Sequence, residues 1–211
     1  MAAGEIVGRT ARFGDDDVLH RLRSGTADEH EDLERALDLL DPGLDRARLT
    51  AVLDRMHGFW VAAEAGLERW AAGCAPDAAA VDWPRRRRAA LFAADLRALG
   101  SAPTARTPEL PPLDGTDQAL GRLYVLEGST LGGVFIDRHL SSLPSLADVR
   151  VAAFSPYGAD TGSMWAAFRQ VTRERVAAGG DPTAVIDSAR ATFVALASWC
   201  RPVSRVLGAT V

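Results

Sequence analysis

The stretch Gly121-Arg-Leu-Tyr-Val-Leu-Glu-Gly128-Ser-Thr-Leu-Gly132-Gly133-Val-Phe-Ile136 places four glycines inside a strongly helical context. Each glycine costs roughly 1 kcal/mol relative to alanine in a helix interior, so about 3–4 kcal/mol is given up here. Gly121, Gly128 and Gly132 fall on one helix face. A face without side chains lets either a second helix or a flat ligand approach the backbone. From the residues alone both interpretations stay open.

Helical periodicity extends over most of the chain on either side. Apolar residues recur at three- and four-residue steps over 19–40, with an interruption at Gly25. Thr26 followed by Glu29 predicts a capping box that restarts the helix. Further helices are predicted at Arg46–Ala72, Trp83–Leu99, Thr116–Leu140, Thr161–Ala178 and Pro182–Leu207. Because only Val149–Phe154 could form a strand, we expect an all-α fold.

The length and composition are those of one ordinary globular domain. The 211 residues are 47% hydrophobic and 25% charged, enough to bury a sizeable core. We expect a single domain over 1–211, with a flexible lead-in at 1–14. The segment 101–115 contains four prolines and is predicted to be an extended connection.

The charge pattern excludes several classes of partner. The net charge is −4, so we expect neither nucleic acid nor an anionic membrane as a partner. All 24 basic residues are arginines. The run Arg85–Arg88 is predicted to be a solvated start of a helix, with a phosphate patch as the alternative. No stretch is apolar and long enough for a signal peptide or a membrane span, which predicts a cytoplasmic protein without membrane insertion.

His30 is the first candidate metal ligand. It lies on the apolar stripe of the first helix, with Glu34 one turn further along. A carboxylate at this spacing can orient an imidazole and raise its basicity, as metal-ligating histidines require. The alternative is a histidine satisfied in the core or at the surface.

Two further histidines have carboxylates three residues before them. The pairs Asp17/His20 and Asp54/His57 match the carboxylate-x-x-His step of helical di-iron proteins. Such a site also needs carboxylates from other helices, and the candidates are Glu64 and Glu127.

Three segments together resemble one family. Residues 22–34, which include His30, resemble the proximal helix of haem oxygenases. Residues 124–133 are similar to their distal helix, in particular that of the bacterial branch associated with bacteriophytochromes. Residues 155–168 are similar to the C-terminal half of that branch. The resemblance covers nearly the whole chain, in order.

This resemblance implies a multi-helix fold with haem held between the proximal and distal helices. His30 would be the axial iron ligand and Glu34 its orienting partner. The distal residues implied in catalysis are Gly128, Ser129 and Gly132. The remaining implied haem contacts, with the arginines facing the propionates, are Arg23, Tyr124, Gly133, Arg169 and Arg173.

The implied activity makes haem both cofactor and substrate. Oxidative cleavage with O2 would give biliverdin, carbon monoxide and free iron. No flavin or nicotinamide site is visible, so the electrons would come from a separate reductase or a ferredoxin. Cys74 and Cys200 form no C-x-x-C motif, so the haem would be b-type and non-covalently bound.

One position departs from the animal members of the family. Ser129 stands where they carry an aspartate that organises the water delivering protons. Proton delivery would then use another water network, involving Ser129, Thr130 or the backbone. The departure also keeps open a rival function, a haem carrier or sensor without turnover. A di-iron oxygenase and a helical module without a ligand also stay open.

Overall fold

Residues 17–206 are described by the computed structural model, with side chains up to residue 201, and every regular element in that range is helical. The α-helices are α1 (Val18–Gly25), α2 (Ala27–Leu37), α3 (Arg46–Gly73), α4 (Ala75–Ala80), α5 (Ala89–Ala98), α6 (Thr116–Gly128), α7 (Gly133–Ser142), α8 (Thr161–Ala177) and α9 (Pro182–Val206). Short 3-10 turns lie at Trp83–Arg86, Ala152–Phe154 and Gly158–Asp160. The predicted all-α class is confirmed. The predicted lead-in at 1–14 lies outside the described residues.

The first two helices are separated at Thr26. This residue is buried, and its hydroxyl donates to the carbonyl of Leu22 in the preceding helix at 2.7 Å. It makes no side-chain hydrogen bond to α2. The predicted capping box of Thr26 and Glu29 is therefore wrong, because the preceding turn takes the hydroxyl that the box requires.

The long helices α3 and α9 build the core that positions the site. Helix α3 buries its apolar residues, from Leu49 to Trp70, and packs against α5 and α9. Helix α9 packs against both α2 and α6. The approach of α9 to α6 is close, since a Cβ on Gly121 would collide with the carbonyl oxygen of Val185. One helix therefore supports both of the segments that resemble the proximal and distal helices.

The predicted helix Thr116–Leu140 is broken into α6 and α7. The break covers Ser129–Gly132, where the chain forms a turn. The hydroxyls of Ser129 and Thr130 each donate to the carbonyl three residues earlier, at 2.7 and 2.8 Å. Hydroxyl groups that bind helical carbonyls in this way compete with continuation of the helix.

The predicted helix Trp83–Leu99 is also interrupted. After a 3-10 turn the chain is extended at Arg87, and α5 begins only at Ala89. The carboxylate of Glu64, from α3, accepts from the backbone N–H groups of Arg88 and Ala89 at 2.6 and 2.8 Å. A side chain distant in sequence therefore caps this helix, which no local pattern could indicate.

Two other segments carry no regular strand. Val149–Phe154, the candidate strand, ends in a 3-10 turn, and residues 101–115 contain neither helix nor strand. Within 17–206, none of the helices has an apolar stretch of the length that crossing a bilayer requires.

Candidate functional site

A cavity of about 670 Å³ lies among α1, α2, α3, α6, α8 and α9. Its volume is in the range of small-molecule sites. The apolar part of its wall is formed by Leu19, Leu33, Leu37, Met56, Trp60, Val125, Leu131, Trp165, Phe193 and Leu196. Walls that combine an apolar surface with polar groups in this way are typical of small-molecule sites.

The cavity collects most of the residues that the sequence predicted. Seven of them line it: Arg23, His30, Glu34, Tyr124, Gly128, Ser129 and Arg169. They come from four helices and the turn after α6, and over one hundred residues of sequence separate the first from the last.

The His30 side chain faces the cavity from α2 and is 56% exposed. It is therefore not a core histidine satisfied by neighbouring groups. Its ring meets the ring of Phe193 edge-on, with centroids 5.6 Å apart, and its Nδ1 lies 3.8 Å from Oε1 of Glu34. A contact of that length is an electrostatic one rather than a hydrogen bond. The imidazole is held on two sides while one side remains open to the cavity.

The four glycines of the distal stretch have different roles. A Cβ on Gly121 would collide with α9, and a Cβ on Gly133 would collide with the carbonyl oxygen of Phe154. These two allow close packing, which is the first of the two interpretations that the sequence left open. Gly128 differs, because a Cβ there would meet nothing within 4 Å and would project beside the cavity that this glycine lines. Gly128 therefore leaves the cavity wall bare.

Three predicted site residues do not reach the cavity wall. Gly132 and Gly133 lie in the turn and the start of α7, outside the lining. The guanidinium of Arg173 forms an ion pair with Asp17, Nη2 to Oδ2 at 2.7 Å, which joins α8 to the start of α1. In place of a position at the cavity, Gly133 has a packing contact and Arg173 a bridging one.

Two arginines contribute positive charge to the cavity. Arg23 lies on α1, and Arg169 lies on α8 with its guanidinium carbon 5.9 Å from the ring centroid of Trp165. The Nε of Arg169 is buried and has no hydrogen-bond partner among the described residues. Beside them is Tyr124; burial raises the pKa of its phenol, while a hydrogen bond with Thr26 and the charge of Arg23 lower it. Guanidinium groups with free donors are suited to ligand carboxylates.

Behind Ser129 lies a buried cation that the sequence did not predict. Arg88 is 1% exposed, and its Nη2 donates to Oγ of Ser129 at 2.8 Å and also to the carbonyl of Leu126. Its Nη1 donates to the carbonyl of Ala153 at 3.1 Å, and its guanidinium lies 4.8 Å from the ring of Trp60. Burial lowers the pKa of Arg88. The predicted solvated helix start is wrong for this residue.

Arg86 is the second buried cation of the same run. Its Nη1 binds Oε2 of Glu127, and both side chains are 1% exposed. The phenol of Tyr157 donates to Oε1 of the same carboxylate at 2.8 Å. Burial and the neighbouring carboxylate raise the pKa of Tyr157. Glu127 is thus committed to an ion pair and to a hydrogen bond immediately before Gly128.

The prediction for Arg85–Arg88 rested on charge alone, and this explains the error. The two exposed members of the run, Arg85 and Arg87, form surface ion pairs with Asp160 and Glu68. The sequence analysis identified Glu64 and Glu127 as inward carboxylates but assigned no cation to them. These two unpaired carboxylates were the signal that could have indicated buried arginines.

The arrangement does not support a di-iron site. Asp17 is paired with Arg173, and Asp54 accepts from the backbone and hydroxyl of Thr104 at 2.7 and 2.8 Å. Over residues 17–201, no group of three or more His, Cys, Asp or Glu side chains is placed to hold a metal ion.

Comparisons with known proteins agree with this geometry. The chain is 31% identical over 168 residues to a haem oxygenase of Xanthomonas campestris pv. campestris (strain 8004), covering 75% of this chain and 94% of that protein. Its fold is similar to the crystal structure of the NO- and CO-bound haem oxygenase of Neisseria meningitidis, with a TM-score of 0.66, 23% identity, and coverage of 89% of this chain and 92% of that one. No protein-family model matches the sequence.

Proposed function

The chain belongs to the haem oxygenase family, and from that premise we propose that it cleaves haem oxidatively to biliverdin, carbon monoxide and free iron. The observation that carries this proposal is the cavity shared by His30 and the Gly128–Ser129 segment. A planar macrocycle in that cavity would share it with the imidazole of His30 and with a part of the wall, at Gly128, that has no side chain.

The residues of the cavity fit a haem. The imidazole of His30 has one open side, and Gly128 leaves room where a Cβ would otherwise project. The buried Nε of Arg169 has no partner among the described residues, and Arg23 adds a second cation for the propionates. A carboxylate ligand would satisfy a donor that the protein itself leaves unpaired.

Each of these side chains has a separate role in the proposed reaction. When bound, haem supplies the iron that activates dioxygen and the macrocycle edge that is oxidised. His30 would hold the iron through its imidazole, which Glu34 and Phe193 orient. Gly128 would present no acid–base side chain to the macrocycle. Ser129 donates its proton to the Leu126 carbonyl, so it can accept a hydrogen bond from a water in the cavity.

Three parts of the proposal rest on the family and on the sequence. We propose dioxygen as the oxidant and a separate reductase or ferredoxin as the source of electrons. We also propose that the protein acts in the cytoplasm.

The test is to add haem to the purified protein, record the absorption spectrum, and then add a reductant in air. Loss of the Soret band with a biliverdin-like product supports the enzyme. A haem complex whose spectrum survives this treatment indicates a carrier, and failure to bind haem rejects both functions.

A second experiment tests the iron ligand. His30→Ala should lose the histidine-ligated spectrum and regain it with added imidazole. An unchanged spectrum would show that another residue is the ligand.

A further inference from the structure

Outside the cavity, Arg122 is a buried cation without a counterion. It lies on α6 and is 2% exposed. Its Nη2 donates to the carbonyl of Pro111 at 2.6 Å, and its Nε is buried without a partner. No carboxylate among the described residues forms an ion pair with it. An unpaired buried charge is strongly unfavourable, so a site of this kind calls for a negative group.

The other two buried arginines show what Arg122 lacks. Arg86 is paired with the carboxylate of Glu127, and Arg88 donates to three acceptors, with Glu127 and Glu64 close enough to favour its charge. The neighbouring charge that acts on Arg122 is that of Arg69, which is also positive. Burial, followed by the proximity of Arg69, lowers the pKa of Arg122 to about 10.

The backbone of α3 makes room for this guanidinium. A Cβ on Gly66 would collide with Nη1 of Arg122, and the Leu113 side chain lies 3.7 Å from the same position. Arg69 follows Gly66 by three residues on α3, is exposed, and forms no ion pair with a described residue. Arg122 of α6 thus lies against Gly66 of α3 and against the proline-rich connection 101–115, and the charge of Arg69 is close enough to act on it.

We propose that Arg122 and Arg69 form a binding site for a small oxyanion, with a phosphate dianion as the preferred chemistry. Guanidinium donors match phosphate and carboxylate oxygens, and two positive charges favour a doubly charged ligand over a singly charged one. Nη1 and Nε of Arg122 donate to no acceptor among the described residues and are the donors left for the anion. A bound anion would connect the segment 101–115 to the two helices through Pro111 and Arg122. None of these residues lines the haem cavity, so this site is independent of the proposed function.

The test is the thermal unfolding of the full chain at pH 7 in phosphate, in acetate and in chloride at equal ionic strength. For the wild type, saturating phosphate should raise Tm by about 3 °C over chloride, and acetate by less. Arg69→Gln should lose most of that rise and Arg122→Met all of it. Arg97→Gln, which removes the same charge from an exposed arginine on α5, should keep it. Calorimetric titration of the wild type with inorganic phosphate should show one site.

Two results would overturn the proposal. One is an equal phosphate-dependent rise in the wild type and in both site variants, which is the general effect of an excluded salt. The other is no rise in the wild type. Haem binding by Arg69→Gln should match that of the wild type, so failure of this site and failure of the haem site are distinguishable. If Arg122→Met does not fold, the comparison of the phosphate-dependent rise in Tm between Arg69→Gln and Arg97→Gln decides the proposal.

Discussion

Nη2 of Arg88 lies 2.8 Å from Oγ of Ser129, and this hydrogen bond joins a buried cation to the wall of the cavity proposed to hold haem. The Ser129 hydroxyl accepts from Arg88 and donates to the carbonyl of Leu126 at 2.7 Å, so its proton is already used within the protein. A serine held in this way offers a lone pair to a water in the cavity rather than a proton.

Ser129→Ala should therefore lower the rate of haem degradation by about tenfold while leaving haem binding nearly unchanged, because positioned proton transfer contributes at least that much. The measurement is the rate of Soret loss at a fixed reductant concentration. Thr130→Ala is the matched control, since that buried hydroxyl also donates three residues back but does not line the cavity. Equal rates in the two variants would remove Ser129 from proton delivery.

The buried position of Arg88 predicts a large effect on stability. Arg88→Met should lower the free energy of unfolding by about 2–4 kcal/mol, since the carbonyls of Leu126 and Ala153 lose a buried donor. Arg87→Met should lower it by less than about 1 kcal/mol, because the ion pair of Arg87 with Glu68 is half-exposed. Denaturant unfolding of both variants checks the difference. Similar losses would contradict the burial of Arg88.

The ion pair of Asp17 with Arg173 predicts a loss of folding stability at low pH. The hydrogen bond from Arg173 holds the pKa of this carboxyl below its ordinary value of 3.8. The unfolded chain therefore binds a proton that the folded chain does not, and protonation favours unfolding. The contribution of the pair is complete above about pH 4 and is lost as the pH falls through the lowered pKa.

Unfolding free energies measured between pH 5 and 3 should accordingly fall less steeply for Asp17→Asn than for the wild type. Asp114→Asn, which changes an exposed carboxylate without an ion pair among the described residues, should follow the wild-type slope. A slope for Asp17→Asn equal to that of the wild type would exclude this pair as a source of acid sensitivity.

The sequence predicted the features that depend on neighbouring residues, and it missed those that depend on partners distant in the chain. The helices α3, α8 and α9 and the place of His30 beside Glu34 follow from periodicity within a few turns. The alternation of exposed and buried residues in Arg85–Arg88 depends on acceptors 38 to 78 residues away. Charge alone gave no sign of them. Likewise, no local rule distinguishes a glycine that packs against a helix from one that faces a cavity.

That distinction supplies the most direct test of the cavity. Gly128→Ala places a methyl group where no atom lies within 4 Å, so the folded protein should be as stable as the wild type or up to about 1 kcal/mol more stable from helix propensity. The same methyl group would occupy space beside the macrocycle, so haem affinity should fall at least about tenfold. Gly121→Ala should behave in the opposite way, losing stability through its collision with Val185 and keeping its haem affinity in the protein that remains folded. Spectroscopic haem titration gives the haem affinity of each variant, and denaturant unfolding gives its free energy of unfolding. Unchanged haem affinity in Gly128→Ala would mean that the macrocycle does not lie against this residue.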